Sequence, residues 1–237
     1  RRAITRHAAR RPRAAQLSDA LRQTYAFDPR TSRRHYRIHM SDIGEARFLP
    51  ALMAALQVQA PLTCIECSAM PHAGLAQKLD QGELDFAFGF LPTVTGTEHR
   101  ALLPDRYVLM LREGHPAVAA FTPGRSDLAE LPLLDFVAVQ SHSDTLRILE
   151  ILGLTDRIKL FASHFLALPA IVRDTDLAVI MPSQIATGFN AAGGYVVVAP
   201  PLPLRDFTVS LHWSRRQHTD PSHLWMRQLI CSIFAAV

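Results

Sequence analysis

The sequence predicts an α/β protein built as two lobes, and three observations carry that expectation. Segments with strand character and segments with helical spacing take turns from residue 34 to residue 234, which calls for sheets layered with helices. Leu84–Phe90 is apolar throughout except for Asp85, as expected of a strand covered on both faces in a parallel sheet. The chain has 237 residues, 49% of them apolar, so it can bury a core, and its length favours two lobes over one.

Leu17, Ala20, Leu21 and Tyr25 recur at helical spacing, so a short amphipathic helix is expected over 14–25. Phe27-Asp28-Pro29 ends it, because the residue before a proline is pushed out of the α region. In Arg34–Met40, Tyr36, Ile38 and Met40 share one face and Arg37 and His39 the other, which predicts a half-buried strand. Ser41-Asp42-Ile43-Gly44 breaks the alternation, and Pro50 is placed in the first turn of a helix with apolar positions Leu52, Met53 and Leu56. Further strands are expected at Leu62–Ser68, Leu84–Phe90, Tyr107–Leu111, Phe136–Val139, Lys159–Ala162, Ala178–Met181, Tyr195–Val198 and Phe207–Trp213. Helices are expected near Gly74–Gln81, Thr145–Leu152, Leu166–Arg173, Gln184–Phe189 and Ser222–Phe234. Asp220-Pro221 suits the start of the last one, with Asp as cap and Pro in the first turn.

Charge is unevenly spread. Residues 1–37 hold eleven Arg against Asp19 and Asp28, which leaves 14 basic and 19 acidic residues in 38–237. A domain that grips phosphates across its main surface carries a basic face, so any nucleic-acid contact is assigned to the arm or to something upstream of it. No apolar run approaches the roughly 18 to 20 residues that span a bilayer, and the arm is arginine-rich where an export signal would be apolar. A cytoplasmic protein without membrane contact is expected.

Three cysteines are too few for a disulfide-stapled scaffold. Cys64 and Cys67 form a C-x-x-C, but on a strand, residues three apart point to opposite faces, so both are expected as buried thiols instead of a redox pair. There is no G-x-S-x-G, P-loop, G-x-G-x-x-G or H-E-x-x-H, so neither an enzyme nor a cofactor is expected. Among eleven histidines, His212, His218 and His223 lack the carboxylate or thiolate company of a metal site, and none is expected.

His142 and His164 are more suggestive. Each is flanked by hydroxyl or aromatic residues at a turn from strand to helix, where open α/β sheets collect ligands and helix N-termini offer free N–H groups. A shared polar pocket is one reading. A hydrolase using Ser141 or Ser143 as nucleophile is another, but it needs a positioned base and a third orienting group.

Taken together, these segments resemble LysR-type transcriptional regulators, and within them the subgroup responding to aromatic compounds such as salicylate and nitroaromatics. The resemblance is carried by Phe27-Asp28-Pro29 with Ser32, Met40-Ser41-Asp42-Ile43-Gly44-Glu45, Phe48-Leu49-Pro50 and Gly82-Glu83-Leu84-Asp85. It continues through Gly89-Phe90-Leu91-Pro92, Gly114-His115-Pro116, His164-Phe165, Thr175-Asp176-Leu177 and Trp225-Met226-Arg227-Gln228-Leu229.

The resemblance implies a periplasmic-binding-protein-like fold of type 2, two α/β lobes with a ligand cleft between them. Residues 1–32 would be a basic arm with the remnant of a linker helix and hinge, 33–110 and 206–237 the first lobe, and 111–205 the second. The partners implied are a small effector, a second copy in a homodimer or homotetramer, and promoter DNA gripped by a winged helix-turn-helix upstream of this chain. Pocket positions fall by similarity on Phe48, Asp105, His142 and Gln184, with Ser41, Asp42 and His164 as wall residues. Relatives in the salicylate subgroup tend to carry a neutral side chain where Asp105 stands and an arginine where Gln184 stands. Both departures disfavour an anionic ligand. A solute-binding protein of a transporter, or an enzyme on the same scaffold, would share the fold.

Overall fold

The computed structural model describes residues 27–121, 128–140, 142–200, 202–203 and 205–235. The basic arm and the helix expected over 14–25 lie outside them, as does Ser141. Two five-stranded sheets are present. The first takes β1 (His35–His39), β2 (Cys64–Ser68), β3 (Phe86–Gly89), β4 (Glu98–Asp105) and β10 (Phe207–Trp213), in the order β2-β1-β3-β10-β4. The second takes β5 (Tyr107–Arg112), β6 (Asp135–Val139), β7 (Ile158–Ala162), β8 (Leu177–Pro182) and β9 (Tyr195–Val198), in the order β7-β6-β8-β5-β9.

The two sheets share one plan. Three parallel strands are followed by an antiparallel one, β10 against β3 in the first sheet and β5 against β8 in the second. In each case the antiparallel strand is reached by a crossover from the other sheet. The chain leaves the first sheet at Arg106 and returns before Phe207. Tyr107–Arg112 therefore belongs to the second sheet.

Burial follows strand position. Phe86, Ala87 and Phe88 of β3 are all buried, because helices cover both faces there. One face meets α1 (Asp42–Gln59) and α6 (Pro221–Phe234) through Tyr36, Ile38, Leu52, Leu56 and Met226. The other meets α2 (Leu75–Gln81) through Leu75, Leu79 and Ala87. In the second lobe the buried run of β5 separates two cores, one toward α3 (Ser143–Ile151) and one toward α4 (Leu168–Asp174) and α5 (Ser183–Phe189).

Two expectations are corrected, and one strand is added. The first long helix begins at Asp42 and carries Pro50 in its interior, not in its first turn. Ser41 starts it: its hydroxyl accepts the Gly44 N–H at 3.3 Å, and its carbonyl accepts the Glu45 N–H at 2.9 Å. An interior proline costs about 3 kcal/mol, and Ile43, Phe48, Leu52 and Leu56 bury an apolar stripe on both sides of it that offsets this. Strand β4 carries no alternating signal, since it is an edge strand containing Pro104 and its pairing with β10 shifts register between Val209 and Ser210. Cys64 is exposed and Cys67 only half-buried, because β2 is the other edge of that sheet, and all three cysteines are free.

The cap at Asp220 forms as expected, its carboxylate accepting the His223 N–H at 2.7 Å. Arg34 ties that helix start to the sheet, pairing with Asp220 at 2.9 Å and with Asp85 at 3.2 Å.

Candidate functional site

A cavity of about 460 Å³ lies between the two sheets. Its walls come from the carboxyl ends of the parallel strands, as the rule for open α/β sheets requires. His39 ends β1, Met70 and His72 follow β2, Phe90 follows β3, Gln140 and His142 follow β6, and Pro182 ends β8. The two crossovers add Asp105, Tyr107 and Phe207. Ligand space between the lobes is thus a consequence of strand order, with the side chains filled in by local sequence.

Five of the seven residues singled out from the sequence line this cavity: Ser41, Phe48, Asp105, His142 and Gln184. Phe48 is buried on the inner face of α1, its ring 5.2 Å from that of Phe88. Asp105 closes β4, and its carboxylate accepts the N–H of Arg106 at 2.7 Å and that of Gln184 at 3.3 Å. It so joins the last strand before the first crossover to the start of α5. Burial pushes its carboxyl up, and those N–H groups work against the shift.

His142 precedes α3, with its ring edge-on to Phe165 at 4.9 Å between centroids. Its Nδ1 is buried without a hydrogen-bond partner. Burial lowers its pKa, more than the nearby Asp144 and Asp42 raise it, so the neutral imidazole is present at pH 7.

Asp42 and His164 do not line the cavity. Asp42 lies at the start of α1 and accepts the backbone N–H groups of Phe165 at 2.6 Å and Leu166 at 3.1 Å, across the lobes. His164 is exposed. It follows β7, which lies at the outer edge of the second sheet; the next two residues of its turn, Phe165 and Leu166, reach Asp42, while His164 itself stays outside the cavity lining.

Several lining residues escaped the sequence reading. Phe90, Phe207 and Tyr107 form a continuous aromatic wall, with ring centroids 5.0 and 4.8 Å apart. Tyr107 donates to Asp144 at 3.3 Å, and burial pushes its phenol well above the usual range. His39 accepts the Met70 N–H on Nδ1 at 3.1 Å, and burial with the adjacent His72 lowers it to about 4. The only available signal was position, since each of these residues ends or immediately follows a strand or crossover.

Among the described residues no group of three His, Cys, Asp or Glu side chains could hold a metal ion. No described helix is long and apolar enough to cross a membrane.

The sequence of residues 29–232 matches the family described as LysR substrate binding domain. The HTH-type transcriptional activator NagR of Ralstonia sp is 34% identical over 222 residues, covering 92% of this chain and 73% of that protein. NahR of Pseudomonas putida, also an HTH-type transcriptional activator, is 31% identical over 219 residues with the same coverage of each. A probable transcriptional regulator from Pseudomonas aeruginosa superposes with a TM-score of 0.75 at 25% identity, over 93% of this chain and 73% of that one. The regulatory domain of MexT, a transcriptional activator of the same organism, shares the fold at a TM-score of 0.68 and 22% identity, over 84% and 98% of the two chains. The matched relatives are regulators, so the transporter and enzyme readings fall away. The chain belongs to the LysR substrate-binding-domain family and is the effector-binding, non-enzymatic part of a LysR-type transcriptional regulator.

Proposed function

We propose that the effector is a small aromatic molecule, held in the inter-lobe cavity by Ser41, Phe48, Asp105, His142 and Gln184. The observation that carries this is the aromatic lining, in which Phe48 and Phe88 line the same cavity as the wall made by Phe90, Tyr107 and Phe207. Flat rings stack well in such a space, each contact contributing about 0.5–1.5 kcal/mol beyond burial alone.

Sheet membership supports drawing the first lobe as residues 33–105 with 207–235, and the second as 107–206. Binding changes the angle between them, and the change passes through a homodimer or homotetramer to DNA-binding domains on promoter DNA in the cytoplasm. A ligand shifts this equilibrium only by its difference in affinity for the two forms, and a tenfold difference contributes about 1.4 kcal/mol. Asp42 marks where that angle is sensed, because its carboxylate spans the lobes beside the cavity.

A thermal-shift screen of aromatic acids, neutral aromatics and aromatic amines tests the proposal. At least one compound should raise the melting temperature and be recovered unchanged by NMR. Steady consumption of the compound, or no shift across the panel, would overturn it.

A further inference from the structure

Two carboxylates in the wall of the cavity lack a counter-ion. Asp105 and Asp144 both line it, and neither forms an ion pair with an arginine or lysine among the described residues. Asp80, Asp85, Asp135, Asp176 and Asp220 each have such a partner. Asp105 accepts the N–H groups of Arg106 and Gln184, and Asp144 accepts the Tyr107 hydroxyl at 3.3 Å. Those donors are neutral, so they satisfy lone pairs and leave the negative charge in place, where a charge taken out of water calls for a partner. The Arg106 guanidinium acts on Asp105 more weakly than those N–H groups do, which leaves Asp144 the less compensated of the two.

Asp144 is also well placed to meet a ligand. It lies half-buried in the first turn of α3, and its charge is felt by His72 of the first lobe and His142 of the second, both in the cavity wall. Only one of its oxygens accepts a hydrogen bond from a described residue, and that bond comes from Tyr107, so the carboxylate adjoins the aromatic wall. The rest of the lining offers little positive charge. Burial lowers His39, His72 and His142 alike, so they are neutral at pH 7. Arg47 is the one described lining residue with a permanent positive charge, and it is exposed, its guanidinium 5.8 Å from the centre of the Phe48 ring. A ligand carboxylate would add a third negative charge to this space. An ammonium would bring the missing counter-ion, and the faces of aromatic rings attract cations besides.

We propose that the cavity takes a cationic aromatic effector, an arylalkylamine whose ammonium pairs with Asp144 while its ring lies along Phe90, Tyr107 and Phe207, in preference to aromatic carboxylates. The inference rests on the reading of the cavity as an aromatic effector site and assigns the charge of the occupant.

Shape-matched probes separate the two claims. Benzylamine, benzamide and benzoate, and the corresponding 1-naphthyl compounds, are titrated into the chain at neutral pH by calorimetry. The ammonium should bind at least about tenfold more tightly than its amide and its carboxylate at one ring size or both. Asp144→Asn keeps an acceptor for Tyr107 and removes the charge; it should weaken the ammonium about tenfold and leave the amide nearly unchanged. Asp144→Glu keeps the charge and should retain the preference for the ammonium, with circular dichroism checking the fold of both variants. An amide or carboxylate binding as tightly as its ammonium overturns the charge selection and leaves the aromatic site standing. An ammonium bound equally well by wild type and Asp144→Asn overturns the pairing with Asp144. Failure of every probe to bind overturns the aromatic site and the inference with it.

Discussion

Asp42 and Phe165, from opposite lobes, are joined by a hydrogen bond of 2.6 Å from the Phe165 N–H to the Asp42 carboxylate. The adjacent Leu166 N–H adds a second at 3.1 Å, and Ile43 of the same helical turn is buried in the core of the second lobe. The start of α1 is therefore fastened to the lobe it faces. His142 rests edge-on against Phe165, so that imidazole packs against a residue that makes the fastening.

Removing the carboxylate should loosen the lobes. Charge-assisted hydrogen bonds of this kind contribute about 1.5–3 kcal/mol. Asp42→Ala is expected to lower the melting temperature by several degrees and to enlarge the radius of gyration in solution scattering. Asp42→Asn, which keeps an acceptor, should lose less. A variant with unchanged scattering and melting would remove Asp42 from the account of lobe closure.

His142→Ala should separate binding from stability. The lost edge-on contact is offset by removal of a buried nitrogen that has no partner in the ligand-free chain. The melting temperature without ligand should stay within about 2 °C of wild type, a change of under about 1 kcal/mol. Affinity for the best effector should fall about tenfold or more, as expected for a lost buried hydrogen bond. Calorimetry on both proteins decides it, and equal affinities would count against the assignment.

Acid should destabilise the chain through His39, His212 and His223, which burial lowers from 6.5 to about 4. Between those values the unfolded state binds more protons than the folded state, so stability rises with pH across the window. The contribution is complete above 6.5 and is lost as pH falls toward 4. His223 shows why: burial, with one ring nitrogen left without a partner and Arg227 and Arg34 adding positive charge nearby, outweighs the contact of the other nitrogen with the Asp85 carbonyl at 3.0 Å, which favours the proton. His223→Gln should flatten the curve of melting temperature against pH. Parallel curves for variant and wild type would contradict this.

Arg34→Ala should be costly because Asp85 is buried and depends on it. Breaking one partner of such a pair costs about 3 kcal/mol, and Arg34 also reaches Asp220 at the cap of α6. Adding Asp85→Asn should recover part of the loss, because the stranded charge is gone. Urea denaturation of both variants measures this, and simple additivity would show that the two groups act independently.

The cysteines should react in an order set by exposure. Cys64 is exposed, whereas burial pushes the Cys67 thiol up to about 11 and raises that of Cys231. A thiol reagent at mildly alkaline pH should label Cys64 first. Oxidative formation of a Cys64–Cys67 bond ahead of labelling would revive the redox reading of the C-x-x-C.

Local pattern and single-residue chemistry sufficed for much of this protein. Period-two alternation located β1, an apolar run located β3, and Asp220-Pro221 located the start of the last helix, because each signal is written in neighbouring residues. Pro50 misled for the same reason. The stripe of Ile43, Phe48, Leu52 and Leu56 that carries the helix past it is an energy of packing against another layer. Strand β4 was silent because an edge strand needs no alternation, and its partner β10 lies about a hundred residues downstream.

The site divides along the same line. His142, Phe48 and Asp105 could be named from a family resemblance and from their places at turns and strand ends. That His164 would lie outside the cavity lining and Asp42 would bridge the lobes could not. Both depend on which strand is central and which is at the edge, and the order β7-β6-β8 arises only when distant segments pair. Composition and periodicity determined which elements form. Their order in space, chosen by hydrogen bonds and burial between segments far apart in the chain, decided which side chains share a cavity.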